Sequence, residues 1–282
     1  MAVALAVVQM NAALYDGGAN RRRSLDFVDE AASAGARLVV LPELAISGYG
    51  LDADGLRAAA EPLDGPTLAA WSKSARRHQL WITGGFCEAD GDRLYNSVML
   101  VGPDGLVGHY RKLHLFDREK TVFAPGDMGL AVHDTPIGRI GLCVCYDLRF
   151  VEVARVLALQ DAHVVAVPTA WVGGFDRNPY DSGGFIAQAR GAVLQANLNQ
   201  VYMACASQCA NAGRIRFLGS SLVADPFGDM LLEPMPRDKE GIGLALIDPE
   251  VAYRARARSE LIRPRDDRRT DVYGIAFQGR CL

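Results

Sequence analysis

Cys145 closes the apolar run Ile140-Gly141-Leu142-Cys143-Val144-Cys145 and is followed by Tyr146-Asp147 and a stretch with helical character. A cysteine between a strand end and a helix N-terminus faces the positive end of the helix dipole, which favours the thiolate. It also lies where open α/β sheets gather ligands. On position alone a packed core cysteine is an equal reading, and Cys143, inside the strand, has the stronger claim to it. A thiolate that attacks needs a base and a group to hold developing negative charge. None of the five histidines (His78, His109, His114, His133 and His163) sits in a cysteine-protease context. Glu43 follows Pro42 at the mouth of a buried strand, where partial desolvation raises a carboxyl pKa toward a useful value. Lys112, in Tyr110-Arg111-Lys112-Leu113-His114-Leu115-Phe116, offers a cationic head to an oxyanion. Taken singly, Glu43 and Lys112 read as surface charges flanking strands. With Cys145 they share the carboxyl ends of predicted strands, so one rim can gather all three.

The elements that must position them alternate along the chain. Strands are expected at Ala2–Met10, Arg37–Pro42 and Leu80–Cys87, with a hairpin-like pair at Leu94–Val101 and Gly105–Arg111 around Gly102-Pro103-Asp104-Gly105. Helices are expected over Asn20–Gly35 and Thr67–His78. The second half repeats the style. Strands fall at Gly138–Val144, His163–Val167, Val201–Ala206, Leu222–Ala224, Met230–Leu232 and Gly243–Ile247, and helices at Val151–Gln160 and Ser182–Leu198. Mixed βα units and hairpins point to an α/β sandwich with mixed sheets rather than a parallel barrel. No polar linker divides the chain, which predicts one domain over residues 1–282.

Composition narrows the rest. Of 282 residues, 50% are hydrophobic and 22% charged, enough to bury a core without disulfides or structural metal. Thirty basic against 33 acidic side chains give no general attraction to nucleic acid or an anionic membrane. No apolar run approaches the ~20 residues that cross a bilayer. The opening apolar stretch lacks a basic leader and reads as a strand rather than a signal peptide. Six cysteines without such a signal suggest free thiols and a cytoplasmic setting. Cys143/Cys145 and Cys205/Cys209 lack the common two-residue spacing of zinc pairs, so a metal site is the weaker reading.

Three blocks carry a resemblance to a known family. They are Leu41-Pro42-Glu43-Leu44 with Gly48-Tyr49, the Tyr110–Phe116 block, and Gly141-Leu142-Cys143-Val144-Cys145-Tyr146-Asp147-Leu148-Arg149-Phe150. In order and spacing they resemble the signature blocks of the carbon–nitrogen hydrolase, or nitrilase, superfamily. Arg118-Glu119-Lys120 with Phe123-Ala124-Pro125-Gly126, the exit Val167-Pro168-Thr169-Ala170-Trp171 and the closing Asp267–Tyr273 extend the likeness over nearly the whole chain. The resemblance implies a four-layer α-β-β-α sandwich that pairs through helices into a homodimer or higher homo-oligomer, with the tail from about 250 to 282 at the subunit interface. It implies Cys145 as nucleophile, Glu43 as general base, Lys112 as oxyanion stabiliser and Glu119 as a second glutamate that positions substrate and catalytic groups. The Tyr146 N–H would be a second oxyanion donor, and Tyr49 and Trp171 pocket walls. Neither metal nor organic cofactor is implied.

True nitrilases of the family tend to carry Trp-Glu after the nucleophile. Tyr146-Asp147 therefore favours a small-molecule amide, aliphatic or omega-amide, with N-carbamoyl compounds open. A catalytically silent scaffold on the same fold is the reading from a different class, and the full set Glu43, Lys112, Glu119 and Cys145 argues against it. Residues 172–184 read as the specificity loop, in which Arg177 would meet a substrate carboxylate and Asp176 or Asp181 an amine, against the plainer reading of solvated charges. Arg149 is expected behind the site as a structural ion-pair partner.

Overall fold

A computed structural model describes residues 2–174 and 176–282; Phe175, in the loop assigned to specificity, lies outside the described residues. The first half runs β1 (Val3–Gln9), α1 (Gly17–Ser33), β2 (Leu38–Val40), α2 (Ala53–Ala59), α3 (Pro66–His78), β3 (Trp81–Asp90), β4 (Arg93–Gly102) and β5 (Gly105–Arg111). The second half has β6 (Val132–Thr135), β7 (Gly138–Leu142), α4 (Val151–Leu159), β8 (Val164–Thr169), α5 (Ala187–Asn199) and β9 (Tyr202–Ser207). After a small ribbon, β10 (Asn211–Ala212) with β11 (Ile215–Arg216), come β12 (Leu222–Ala224), β13 (Met230–Leu232), β14 (Gly241–Ile247) and α6 (Pro249–Arg254). A last hairpin pairs β15 (Ala276–Phe277) with β16 (Arg280–Cys281).

Two six-stranded mixed sheets result, ordered β14-β1-β2-β3-β4-β5 and β13-β12-β9-β8-β7-β6. In each, three central strands run parallel and the flanking strands antiparallel. Side chains on β1 alternate between two cores, as the pleat dictates. Leu5 and Val7 face the second sheet, whereas Ala6 and Val8 pack with Val28 of α1 and Trp71 of α3. Residues of α4 and α5, including Leu157 and Ala192, join the second sheet from its other side. The layers are therefore helix, sheet, sheet, helix, as the resemblance implied.

Helix starts follow local chemistry. Asp16 accepts the Ala19 N–H to open α1, and Pro66 takes the first position of α3, where a missing N–H costs nothing. The expected helix from Ser182 begins only at Ala187. Asp181 accepts the N–H groups of Gly183 (2.8 Å) and Phe185 (3.0 Å), and that local turn competes with helix. The short helices α2 and α6 and the edge strand β6 were not foreseen. Among the described residues no helix is long and apolar enough to cross a membrane, and none of the six cysteines is in a disulfide.

Candidate active site

Glu43 lies three residues past β2, and both sheets hold its backbone. Its N–H donates to Thr169 O (3.3 Å), and its carbonyl accepts from Gln208 Nε2 (3.0 Å), both from the second sheet. From the first sheet, Gly85 N–H donates to Pro42 O (2.9 Å). Gly85 must be glycine, because a Cβ there would overlap the backbone of Glu43 and Leu44.

Lys112 stands one residue beyond β5, with its N–H on Asn96 O at 2.9 Å. Its ammonium is fully buried and donates to Glu43 Oε1 (2.6 Å) and Glu119 Oε1 (2.9 Å). Glu119 comes from a 3-10 turn, Asp117–Thr121; its Oε2 accepts the Phe116 N–H (3.0 Å), and Oε1 accepts the Tyr49 hydroxyl. Asn96 Nδ2 donates to Glu43 Oε1 (2.7 Å). Glu43 Oε2 is buried with no hydrogen-bond partner among the described residues. Burial raises the Glu43 carboxyl above its ordinary value, against the opposing pull of Lys112. Burial also works against the Lys112 charge, yet Glu43 and Glu119 together hold its pKa above the usual lysine value. Hydrogen bonds join Glu43, Lys112 and Glu119 into one group, and the Cys145 thiol lies close enough for the charges of all three to act on it.

Cys145 departs from the sequence expectation in one respect. It does not cap a helix: a 3-10 turn spans Cys145–Arg149, and α4 begins only at Val151. The strand itself ends at Leu142 rather than Val144. Without a helix dipole to favour the thiolate, burial first and the Glu43 charge second push the thiol well above its ordinary pKa, opposed by Lys112 and a hydrogen bond from the Ala170 backbone. Burial thus favours the neutral thiol over the thiolate. Cys145 also holds φ at +45°, a left-handed conformation that costs a residue with a Cβ.

Asp147 fixes that turn, and sequence reasoning did not single it out as a site residue. Fully buried, it accepts the Val144 N–H (2.9 Å) and the Tyr110 hydroxyl (2.7 Å) on Oδ2. On Oδ1 it accepts the His114 N–H (3.0 Å) and meets His114 Nδ1 at 2.8 Å. Tyr110 and His114 flank Lys112, so one carboxylate ties the lysine segment to the cysteine turn. Asn96 and Gln208 were missed as well; a polar residue inside the buried strand Leu94–Val101 was the available signal for the first.

Tyr49, Tyr146 and Trp171 line a narrow, mostly apolar pocket that opens on Cys145. The Tyr146 ring sits edge-on between Phe116 and Phe150. Arg149 lines this pocket too, which corrects its expected place behind the site, and it pairs with Asp176 at 2.8 Å. Asp181 pairs with Arg190 at 2.7 Å, while Arg177 is exposed and outside the pocket lining. Asp176 and Asp181 are thus already neutralised by arginines. Among the described residues no group of three or more His, Cys, Asp or Glu is arranged to hold a metal.

Replacing Asp147 by Asn turns an NH2 group toward donors in a buried network. Asp147→Asn is expected to cost about 3 kcal/mol in urea unfolding. A loss under about 0.5 kcal/mol would mean that the carboxylate does not hold the two segments together.

Comparison with known proteins adds the family. The model described as carbon-nitrogen hydrolase matches residues 4–257. A protein named nitrilase from Pyrococcus abyssi is 37% identical over 248 residues, covering 87% of this chain and 90% of its own. The omega-amidase NIT2 of Homo sapiens is 32% identical over 272 residues, 92% of each chain. The crystal structure of Saccharomyces cerevisiae Nit3, a member of branch 10 of the nitrilase superfamily, superposes with a TM-score of 0.80 at 29% identity, covering 94% of this chain and 96% of that one. The chain belongs to the carbon–nitrogen hydrolase family of the nitrilase superfamily and is a cysteine-dependent C–N hydrolase.

Proposed function

We propose that the chain hydrolyses a small linear amide to a carboxylic acid and ammonia through a thioester on Cys145. The observation that carries this reading is the buried Glu43–Lys112–Glu119 group placed against the Cys145 thiol. Glu43 Oε2, which has no hydrogen-bond partner among the described residues, takes the thiol proton as sulfur bonds to the carbonyl carbon. Negative charge on the carbonyl oxygen falls to the Lys112 ammonium and the Tyr146 N–H, and it needs no proton from Lys112, whose charge two carboxylates secure. Protonated Glu43 then gives its proton to the departing nitrogen. Water, deprotonated by the same carboxylate, attacks the thioester, and the thiol leaves with that proton. Glu119 holds Lys112 in place and is itself held by the Tyr49 hydroxyl.

Tyr146-Asp147 supports amide over nitrile, and the human relative's name, omega-amidase, points the same way. The Pyrococcus relative's name keeps nitriles in the test, and N-carbamoyl compounds share the same triad chemistry. A homodimer through α4, α5 and the 250–282 tail is also proposed. In support, Leu194 and Leu198 of α5 and Leu261 and Ile262 of the tail are exposed.

Ammonia release from aliphatic amides, omega-amides, N-carbamoyl compounds and nitriles tests the substrate class. Turnover should concentrate on the amides, and Cys145→Ala should bind them while turning over essentially nothing. Turnover confined to nitriles, or persisting in pure Cys145→Ala, would overturn the proposal. Because Glu43 must start unprotonated and its pKa is raised, kcat/KM should fall on acidification at a pH above 4.5, the ordinary glutamate value. A profile flat through that value would remove Glu43 as the base. In analytical ultracentrifugation the chain should sediment as a dimer, and Leu194→Asp should shift it toward monomer; a monomeric wild type refutes the pairing.

A further inference from the structure

Arginines of the C-terminal tail gather at the ends of α4 and α5. Arg265, 8% exposed, donates to the Ala158 carbonyl at the end of α4, and to Asn199 O (2.7 Å) and Gln200 O (3.3 Å) at the end of α5. A guanidinium suits that place, because the last carbonyls of a helix lack intrahelical donors. Its Nε is nevertheless buried without a hydrogen-bond partner among the described residues, and so is the Nε of Arg256. Both residues border a cleft that Arg254, Arg263, Asp161 and Asp266 also line.

Four guanidiniums against two carboxylates leave the cleft with two positive charges in excess. The carboxylates are already engaged, Asp161 by Arg256 Nη1 at 2.7 Å and Asp266 by Arg263 at 3.3 Å. Burial first, and then the repulsion of Arg256, bring the Arg265 pKa down to about 10. A buried N–H left without an acceptor costs about 1–3 kcal/mol, and more for a charged group. Two such residues lining one cleft, both reaching Asp161 (Arg256 at 2.7 Å, Arg265 at 3.8 Å) under excess positive charge, are what an anion satisfies.

We propose that this cleft is a binding site for a small multiply charged oxyanion, whose oxygens accept from Arg256 and Arg265. Phosphate and dicarboxylate groups share the required chemistry, since both present paired oxygens to a guanidinium fork. The site lies at the end of α4 remote from the Cys145 turn, about 13 Å along a nine-residue helix. Its occupant braces the tail against two helix ends and takes no part in the reaction at Cys145.

The test is thermal unfolding and titration calorimetry of the full chain with sodium phosphate, sodium succinate, and sodium chloride at matched ionic strength. Phosphate at roughly 100-fold over its Kd should raise Tm by about 5 °C. Arg256→Gln should weaken phosphate binding at least about tenfold while amide turnover stays unchanged. Succinate acting as well as phosphate would assign the site to dianions in general, and succinate failing would assign it to phosphate groups. If Arg256→Gln does not fold, Arg256→Lys, which keeps the charge and removes the guanidinium fork, supplies the same comparison. Equal shifts with chloride and phosphate, or undiminished phosphate binding by the variant, would overturn the proposal. So would an arginine variant that changes the sedimenting mass and leaves phosphate binding intact, since the arginines would then serve contacts between copies.

Discussion

One buried ammonium organises this protein. Lys112 Nζ lies between Glu43 and Glu119 with no exposure to solvent, and removing three ionisable groups from water costs several kcal/mol each unless their geometry compensates. The compensation comes from every side. Asn96 supports Glu43, Tyr49 and the Phe116 N–H support Glu119, and the backbones of both sheets clamp the Glu43 segment. The two-carboxylate, one-ammonium group carries one surplus negative charge when fully ionised. Burial first, and then the negative charge of Glu43, raise the Cys145 thiol above its ordinary pKa, and burial likewise raises the Glu43 carboxyl.

The double sheet follows from what this group requires. Glu43 and Lys112 belong to the first sheet and Cys145 to the second, so the site exists only where the two sheets meet at one end. Asp147 makes that meeting rigid, since it bonds Tyr110 and His114 around Lys112 and Val144 beside Cys145. Outside the site another buried carboxylate is held differently. Burial opposes the charge of Glu88, but hydrogen bonds from His109, Arg111 and Ser97 bring its pKa down to about 2. There the carboxylate is fully saturated by donors. Glu43, by contrast, keeps Oε2 without a hydrogen-bond donor among the described residues.

Much of this was legible in the sequence, and the exceptions share a cause. Strand positions could be read because buried parallel strands are short apolar runs; Glu43 and Cys145 each sit three residues past such a run, and Lys112 one residue past the antiparallel edge strand β5. Contacts made by side chains onto distant backbone left no local mark, so Gln208 supporting Glu43 and Asp147 bridging two segments were invisible. The start of α5 was misplaced because Asp181 holds a turn that residue propensity does not report. The dipole expected at Cys145 failed because a tight turn replaced the helix.

The left-handed backbone at Cys145 reaches beyond chemistry. A standing strain of order 1–3 kcal/mol at the nucleophile means that the fold gains nothing from having a cysteine there. A glycine at this position would relax the turn and abolish the attacking atom in one step. Drift toward greater stability and retention of turnover therefore pull in opposite directions at this residue. Selection on the reaction, not on folding, has to keep it.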